Sequence, residues 1–129
     1  MEKAYPLINV LLSDPAFSER EVERAVAPIM EGRVELVFTD PGYMRALNAR
    51  FRHQDRPTDV LSFDLSDNGR PEGVIYVNGR LYPPLEELLE RVFHGYLHLL
   101  GWTHDDPRRY ARMKERVAHL VDRAVGGGE

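Results

Sequence analysis

The sequence has 129 residues, of which 43% are hydrophobic and 29% are charged, and its formal net charge is −4. This balance is typical of one globular domain, and it excludes disordered, collagen-like and low-complexity proteins, membrane-spanning segments and general polyanion binders. The absence of cysteine excludes disulfide scaffolds, thiolate metal sites and cysteine nucleophiles.

The residue pattern along the chain predicts four strands and four helices. Ser18 and Glu21 form a capping box, and Asp40 and Asp106 are N-caps that each precede a proline. In chain order the predicted elements are a strand at 7–12 that should be buried, a helix from 18 to about 30, a strand at 34–38, a helix from 40 to about 51, a strand at 58–65, a turn at 67–69, a strand at 74–77, a helix from 83 to 100 and a helix from 106 to about 125.

This order of elements predicts an α+β fold. We expect one mixed, mostly four-stranded sheet packed against about four helices. Residues 1–125 should form a single domain, and residues 126–129 should be a frayed tail.

Three histidines near the end of the third predicted helix point to chemistry. His94 and His98 are four residues apart on one helical face, opposite the apolar side, so they should face solvent or a cleft. Gly101 can end the helix in a left-handed turn that carries His104 back toward them. Three converging imidazoles predict a tridentate metal site with an open coordination position.

The alternative interpretation treats these histidines as unrelated surface residues, as we interpret His53 and His119. The third histidine after a glycine favours the metal site, because this spacing is that of the metzincin zinc peptidases. Gly95, however, stands where such a peptidase carries its general-base glutamate. A phosphodiester is therefore the better substrate hypothesis, since its hydrolysis depends mainly on metal and cationic stabilisation of charge.

A second group of residues could bind phosphate. Arg45, Asn48 and Arg52 share a face of the second predicted helix, and the arginine fork suits phosphate oxygens. Composition alone would favour a solvated helix end. The segment from Asn48 to Phe63, together with the histidine segment, nevertheless resembles the YbeY family of bacterial endoribonucleases, the ribosomal RNA maturation factors, and the order of elements matches over nearly the whole chain.

The resemblance implies a cytoplasmic, single-strand-specific, metal-dependent endoribonuclease. It implies action in maturation of ribosomal RNA, notably at the 3′ end of the small-subunit RNA, and in ribosome quality control, with the ribosome or ribosomal proteins as partners. It implies zinc as the metal, and Arg52 as the catalytic residue that holds the scissile phosphate. The implied metal ligands are His94, His98 and His104.

The resemblance leaves several points open. The family usually has aspartate at the position of Thr103, and Gly-Asp where this chain has Glu72-Gly73. The general base stays open between Asp59 and Asp105.

Two other functions remain as alternatives. One is a metallopeptidase or other amide hydrolase, which would need a recruited carboxylate such as Glu72. The other is a non-enzymatic ribosome-assembly factor in which the metal only fixes the helix end. That structural site would need a fourth ligand, for which Asp105 is the nearest candidate.

Overall fold

The computed structural model describes residues 5–53, 58–66, 70–80 and 85–126. The predicted turn at 67–69, the predicted helix start at Pro83 and Pro84, and residues 127–129 of the predicted tail lie outside the described residues. Within the described ranges the elements are β1 (Leu7–Val10), α1 (Glu19–Val26), β2 (Arg33–Thr39), α2 (Pro41–Arg52), β3 (Val60–Asp64), β4 (Glu72–Asn78), α3 (Leu85–Leu99) and α4 (Pro107–Val125).

The predicted α+β class with a mixed four-stranded sheet is confirmed. The strand order is β1-β2-β4-β3. The first three of these strands run parallel, and β3 runs antiparallel to β4 with Ser62 opposite Ile75. Strand β3 lies at one edge of the sheet and packs against α3 and α2, the helices that carry the candidate site.

The sheet separates two helical layers. Ile75 and Val77 belong to the main core, which they form with apolar residues of β2, α1, α3 and α4. Tyr76, the residue between them, points to the opposite face, where its ring lies 6.2 Å from that of Tyr43 on α2. Helix α2 therefore covers one face of the sheet, and α1, α3 and α4 cover the other.

Several boundaries differ from the prediction. Strand β3 spans Val60–Asp64 and not 58–65, and β4 spans Glu72–Asn78 and not 74–77.

Helix α1 has the predicted capping box between Ser18 and Glu21, but it ends at Val26 and not near residue 30. Pro28 explains the early end, because proline has no N–H to continue the helical hydrogen bonds.

Strand β1, predicted as a buried strand over 7–12, is a shorter edge strand. It ends at Val10, and only one side of it is paired with a neighbour. Asn9 is exposed, as is Leu11, which still donates its N–H to the carbonyl of Phe38 at 2.8 Å. A mostly apolar run is therefore a poor guide to how deeply a short strand is buried. Among the described helices, none combines the length and apolar character needed to cross a bilayer.

Candidate metal centre

The end of α3 forms the turn that brings the histidines together. Gly101 has a φ of 93°, so its backbone is left-handed, as the sequence predicted. The N–H of Trp102 donates to the carbonyl of Leu97 at 2.9 Å, and the N–H of Gly101 donates to that of His98 at 3.0 Å. This pair of bonds is a Schellman motif, which satisfies the last carbonyls of the helix and reverses the chain. The reversal carries His104 back to the helix face.

The three predicted ligands converge. One ligand nitrogen from each of His94, His98 and His104 lies within 4.8 Å of the others. The Nε2 atoms of His94 and His98 are 3.2 Å apart. Two nitrogens bound to one tetrahedral zinc ion at about 2.05 Å would be about 3.3 Å apart, so this pair already has the spacing of metal ligands.

The environment of His98 also suits a metal ligand. Its Nδ1 lies 3.1 Å from the carbonyl oxygen of Trp102. A carbonyl only accepts hydrogen bonds, so it fixes the proton on Nδ1 and leaves the Nε2 lone pair directed at His94 and His104. The Schellman motif at the helix end therefore both positions Trp102 and orients the imidazole of His98.

Burial keeps two of the imidazoles in the neutral form that binds metal. Burial, with a smaller effect of the neighbouring His98 and His104, lowers the pKa of His94 from 6.5 to about 4. Burial also lowers the pKa of His98, and the charges of His104 and Arg52 act in the same direction. At neutral pH these rings are available to a cation without first losing a proton.

Arg52, at the end of α2, lies at the same site. Its Nη2 donates to the carbonyl of Ser62 at 2.7 Å, and its guanidinium lies 5.3 Å from the centre of the Phe63 ring. The Ser62 hydroxyl donates to the carbonyl of Gly95 at 3.1 Å. Ser62 therefore joins the end of α2 to the middle of α3, a role that the sequence interpretation missed. The only signal was a hydroxyl in an otherwise mostly apolar strand.

One cavity of about 430 Å³ contains the arginine and the histidines. It is lined by Arg52, Thr58, Val60, Leu61, Ser62, His94, His98 and His104. The structure thus brings Arg52 and the three histidines together. A cation held by three imidazoles beside a guanidinium is suited to an anionic substrate such as a phosphodiester.

Comparison with known proteins agrees with this geometry. Residues 12–125 match the family described as Endoribonuclease YbeY. A relative of that name from Rubrobacter xylanophilus is 37% identical, and the match covers 78% of this chain and 76% of the relative. Another of that name, from Picosynechococcus, is 36% identical over 78% of this chain and 74% of its own length.

The chain belongs to the YbeY family. A solution structure from Thermotoga maritima is also similar to this chain, with a TM-score of 0.59 and 30% identity. The match covers 94% of this chain and 91% of that one. The family match over residues 12–125 includes every element that contributes to the cavity.

The other predicted site residues lie elsewhere. Among the described residues that line the histidine cavity, neither general-base candidate appears. Asp105 is exposed, and a hydrogen bond from the Thr103 hydroxyl, with a smaller effect of Arg109, lowers the pKa of its carboxyl. Asp59 is exposed and pairs with Arg91 at 3.7 Å. Arg45 is exposed and Asn48 is buried, so the predicted phosphate-binding face of α2 contributes only Arg52 to the cavity.

His53 and His119, interpreted as surface residues, are exposed. His53 has a further role that the sequence interpretation missed. It caps α2 with a φ of 58°, and its N–H donates to the carbonyl of Asn48.

Packing leaves no room for a side chain at Gly95, where the metzincin spacing has glutamate, or at Gly73, where the family resemblance implied aspartate. A Cβ atom on Gly95 would lie 2.6 Å from Ile75 Cγ2 and 2.8 Å from the Ser62 hydroxyl, so α3 lies too close to the sheet for a glutamate there. A Cβ on Gly73 would lie 2.2 Å from the Phe63 carbonyl oxygen. Glu72, the carboxylate that the peptidase hypothesis needed, is absent from the described cavity lining.

Proposed function

We propose that this chain is a metal-dependent endoribonuclease that hydrolyses single-stranded RNA. The observation that carries the proposal is one cavity lined by three metal-binding imidazoles and a guanidinium. Membership of a family whose members are named endoribonucleases supports the substrate class. We propose that residues 1–125 form the single domain that carries this activity.

His94, His98 and His104 would hold the metal, and we propose zinc because three imidazoles with an open position are a common catalytic zinc site. When bound, a divalent metal supplies a Lewis acid and lowers the pKa of a water molecule in the open position. The Trp102 carbonyl keeps the Nε2 lone pair of His98 directed at the site.

Arg52 would bind the scissile phosphate. The Ser62 carbonyl and the Phe63 ring hold its guanidinium over the cavity. A fixed cation stabilises the extra negative charge that a phosphodiester gains in the transition state, and it needs no rearrangement during the reaction. The described residues lining the cavity include no carboxylate, so we propose that a proton leaves the attacking water to solvent or to substrate.

The biological substrate we propose is ribosomal RNA, at the 3′ end of the small-subunit RNA, with a further role in ribosome quality control. The net charge of −4 supports local and weak RNA binding, in which the ribosome or ribosomal proteins supply specificity. This role implies a cytoplasmic protein. A purely structural metal is disfavoured, because the donor group among the described residues has three members and structural zinc sites normally have four.

The test is cleavage of a single-stranded RNA by the purified protein as isolated, after chelation, and after zinc is restored. We expect cleavage to be lost on chelation and regained with zinc. His98→Ala should be inactive, whereas His119→Ala, an exposed histidine on α4, should match wild type. The metal-dependent mechanism is refuted if cleavage survives both chelation and His98→Ala. The assembly-factor alternative is favoured if the folded, zinc-loaded wild type cleaves neither free RNA nor ribosomal particles.

A further inference from the structure

A second cavity, of about 450 Å³, lies beside the metal centre between α3 and α4. His94 and Val60 line both this cavity and the one that contains Arg52. The two cavities therefore meet at the metal centre, and a strand whose phosphate lies beside Arg52 and the histidines would extend toward the second one. Its volume is within the range of small-ligand pockets and is sufficient for a nucleobase.

The walls of this second cavity suit a flat, partly polar ring. Val60, Met113 and Val117 provide apolar surface. Tyr110 lies at the side of the metal centre and is 52% exposed, and its ring is edge-on to that of His104, with 6.2 Å between their centres. An exposed tyrosine next to apolar surface is the kind of platform on which unpaired bases stack.

The charged groups around this cavity balance. Arg91 and Lys114 are cations, and Asp59 and Glu90 are carboxylates. A phosphate would meet as many negative as positive groups here, so the lining does not favour an anion. A neutral base, which carries both hydrogen-bond donors and acceptors at its edge, fits this mixture.

Arg91 and Asp59 provide polar groups at the wall of this cavity. The Nη1 of Arg91 donates to the carbonyl of Glu87 at 2.7 Å, which fixes the guanidinium. Its Nε is buried and makes no hydrogen bond within the part of the chain that the structure describes, and its ion pair with Asp59 is long, at 3.7 Å. The Arg91 side chain is nevertheless 24% exposed and that of Asp59 is 58% exposed, so both can contact a ligand in the cavity.

We propose that the cavity between α3 and α4 binds one unpaired nucleobase of the RNA, next to the nucleotide whose phosphate is cleaved. The base lies against Tyr110 and the apolar surface, with its polar edge toward Arg91 and Asp59. This inference rests on the proposed function. It gives a physical reason for single-strand specificity, because a base that is paired and stacked in a duplex cannot enter the cavity.

The first test fills the cavity without touching the metal ligands. Ala118 lies on the exposed side of α4 and lines the cavity, whereas Ala111 is also exposed on α4 but does not line it. We expect Ala118→Phe to raise the KM for single-stranded RNA about tenfold or more, which is the effect of losing one base–aromatic contact. Ala111→Phe, the matched control, should behave as wild type.

The substrate itself provides a second arm of this test. A set of RNAs, each with one abasic ribose at a different position near the cleaved bond, should show one position where loss of the base raises KM for wild type. Loss of the base at that position should not change the KM of Ala118→Phe. If Ala118→Phe and Ala111→Phe have the same KM, and no abasic position changes the KM of the wild type, the inference is wrong even though the protein cleaves RNA.

A binding measurement separates this inference from the proposed function. The methyl group of Met113, a residue that lines the cavity, can be followed by NMR in the zinc-loaded full chain. A nucleoside monophosphate should shift this signal, whereas ribose 5-phosphate, which lacks a base, should not, and Ala118→Phe should abolish the shift. If the Met113 signal shifts in a protein that cleaves no RNA, the base-binding site is supported and the proposed nuclease activity is rejected. Equal responses to both ligands would overturn the base site.

Discussion

The two helices that supply the candidate site end in different ways. Helix α3 is followed by a turn in which Gly101 has a φ of 93°, and helix α2 is capped by His53, which has a φ of 58°. Both backbones are left-handed, but glycine adopts this conformation readily, whereas a residue with a side chain does so at a cost. The glycine end could be predicted from the sequence, and the histidine end could not.

The two ends also differ in what holds them. The α3 end is built by local contacts, since the Schellman bonds and the His98–Trp102 contact all lie between residues 97 and 102. The α2 end depends on β3, because Arg52 donates to the carbonyl of Ser62. The three candidate metal ligands therefore lie within one short segment, residues 94–104, whereas the position of Arg52 depends on a contact with a distant strand.

The largest expected effect comes from removing the guanidinium at the α2 end. Arg52→Ala should lower kcat for RNA cleavage by about 10²- to 10³-fold, as for loss of one preorganised donor to transition-state charge. The unfolding free energy should change little because the side chain is exposed. Arg50→Ala is the matched control, since Arg50 is exposed on the same helix, over the Phe51 ring, and does not line the cavity. Equal activity of the two variants would disprove the role of Arg52.

The next effect concerns the contact between α3 and the sheet. Gly95→Ala would force a methyl group against Ile75 and Ser62, so we expect a loss of about 1–3 kcal/mol in unfolding free energy, measured by denaturant titration. Zinc affinity should fall too, because the displaced residue lies between His94 and His98. An unchanged denaturation midpoint would mean that α3 can move away from the sheet without loss.

A smaller effect should follow from the turn after α3. No atom lies within 4 Å of the position that a Cβ on Gly101 would take, so Gly101→Ala introduces backbone strain and no clash. We expect it to lower the unfolding free energy by about 1 kcal/mol, and Gly101→Asn to lower it less, because asparagine tolerates the left-handed region better. A larger loss in the asparagine variant than in the alanine variant would contradict this account.

The smallest effect should appear at the α2 end. His53→Gly removes the cost of a left-handed histidine, and this gain slightly exceeds the added freedom of glycine in the unfolded chain. We expect stabilisation by about a few tenths of a kcal/mol in thermal unfolding, with RNA cleavage unchanged. A marked loss of cleavage would show that the His53 side chain contributes to the site.

The sequence by itself determined the fold class, most element positions and the histidine group. These features depend on periodicity, on caps such as Asp40 and Asp106, and on a glycine followed by a histidine. Such signals act over a few residues, so they can be interpreted without knowing the fold. The same local rules missed the end of α1, which was predicted near residue 30 and lies at Val26, before Pro28.

The tertiary structure decided how distant segments meet. The strand order places β3 beside α3, and only then does Ser62 contact both Arg52 and Gly95, which are 43 positions apart in the printed sequence. It also showed that Gly95 has no room for a side chain, which the motif comparison alone could not explain. Contacts of this kind depend on packing between elements, and no residue pattern within a single segment specifies them.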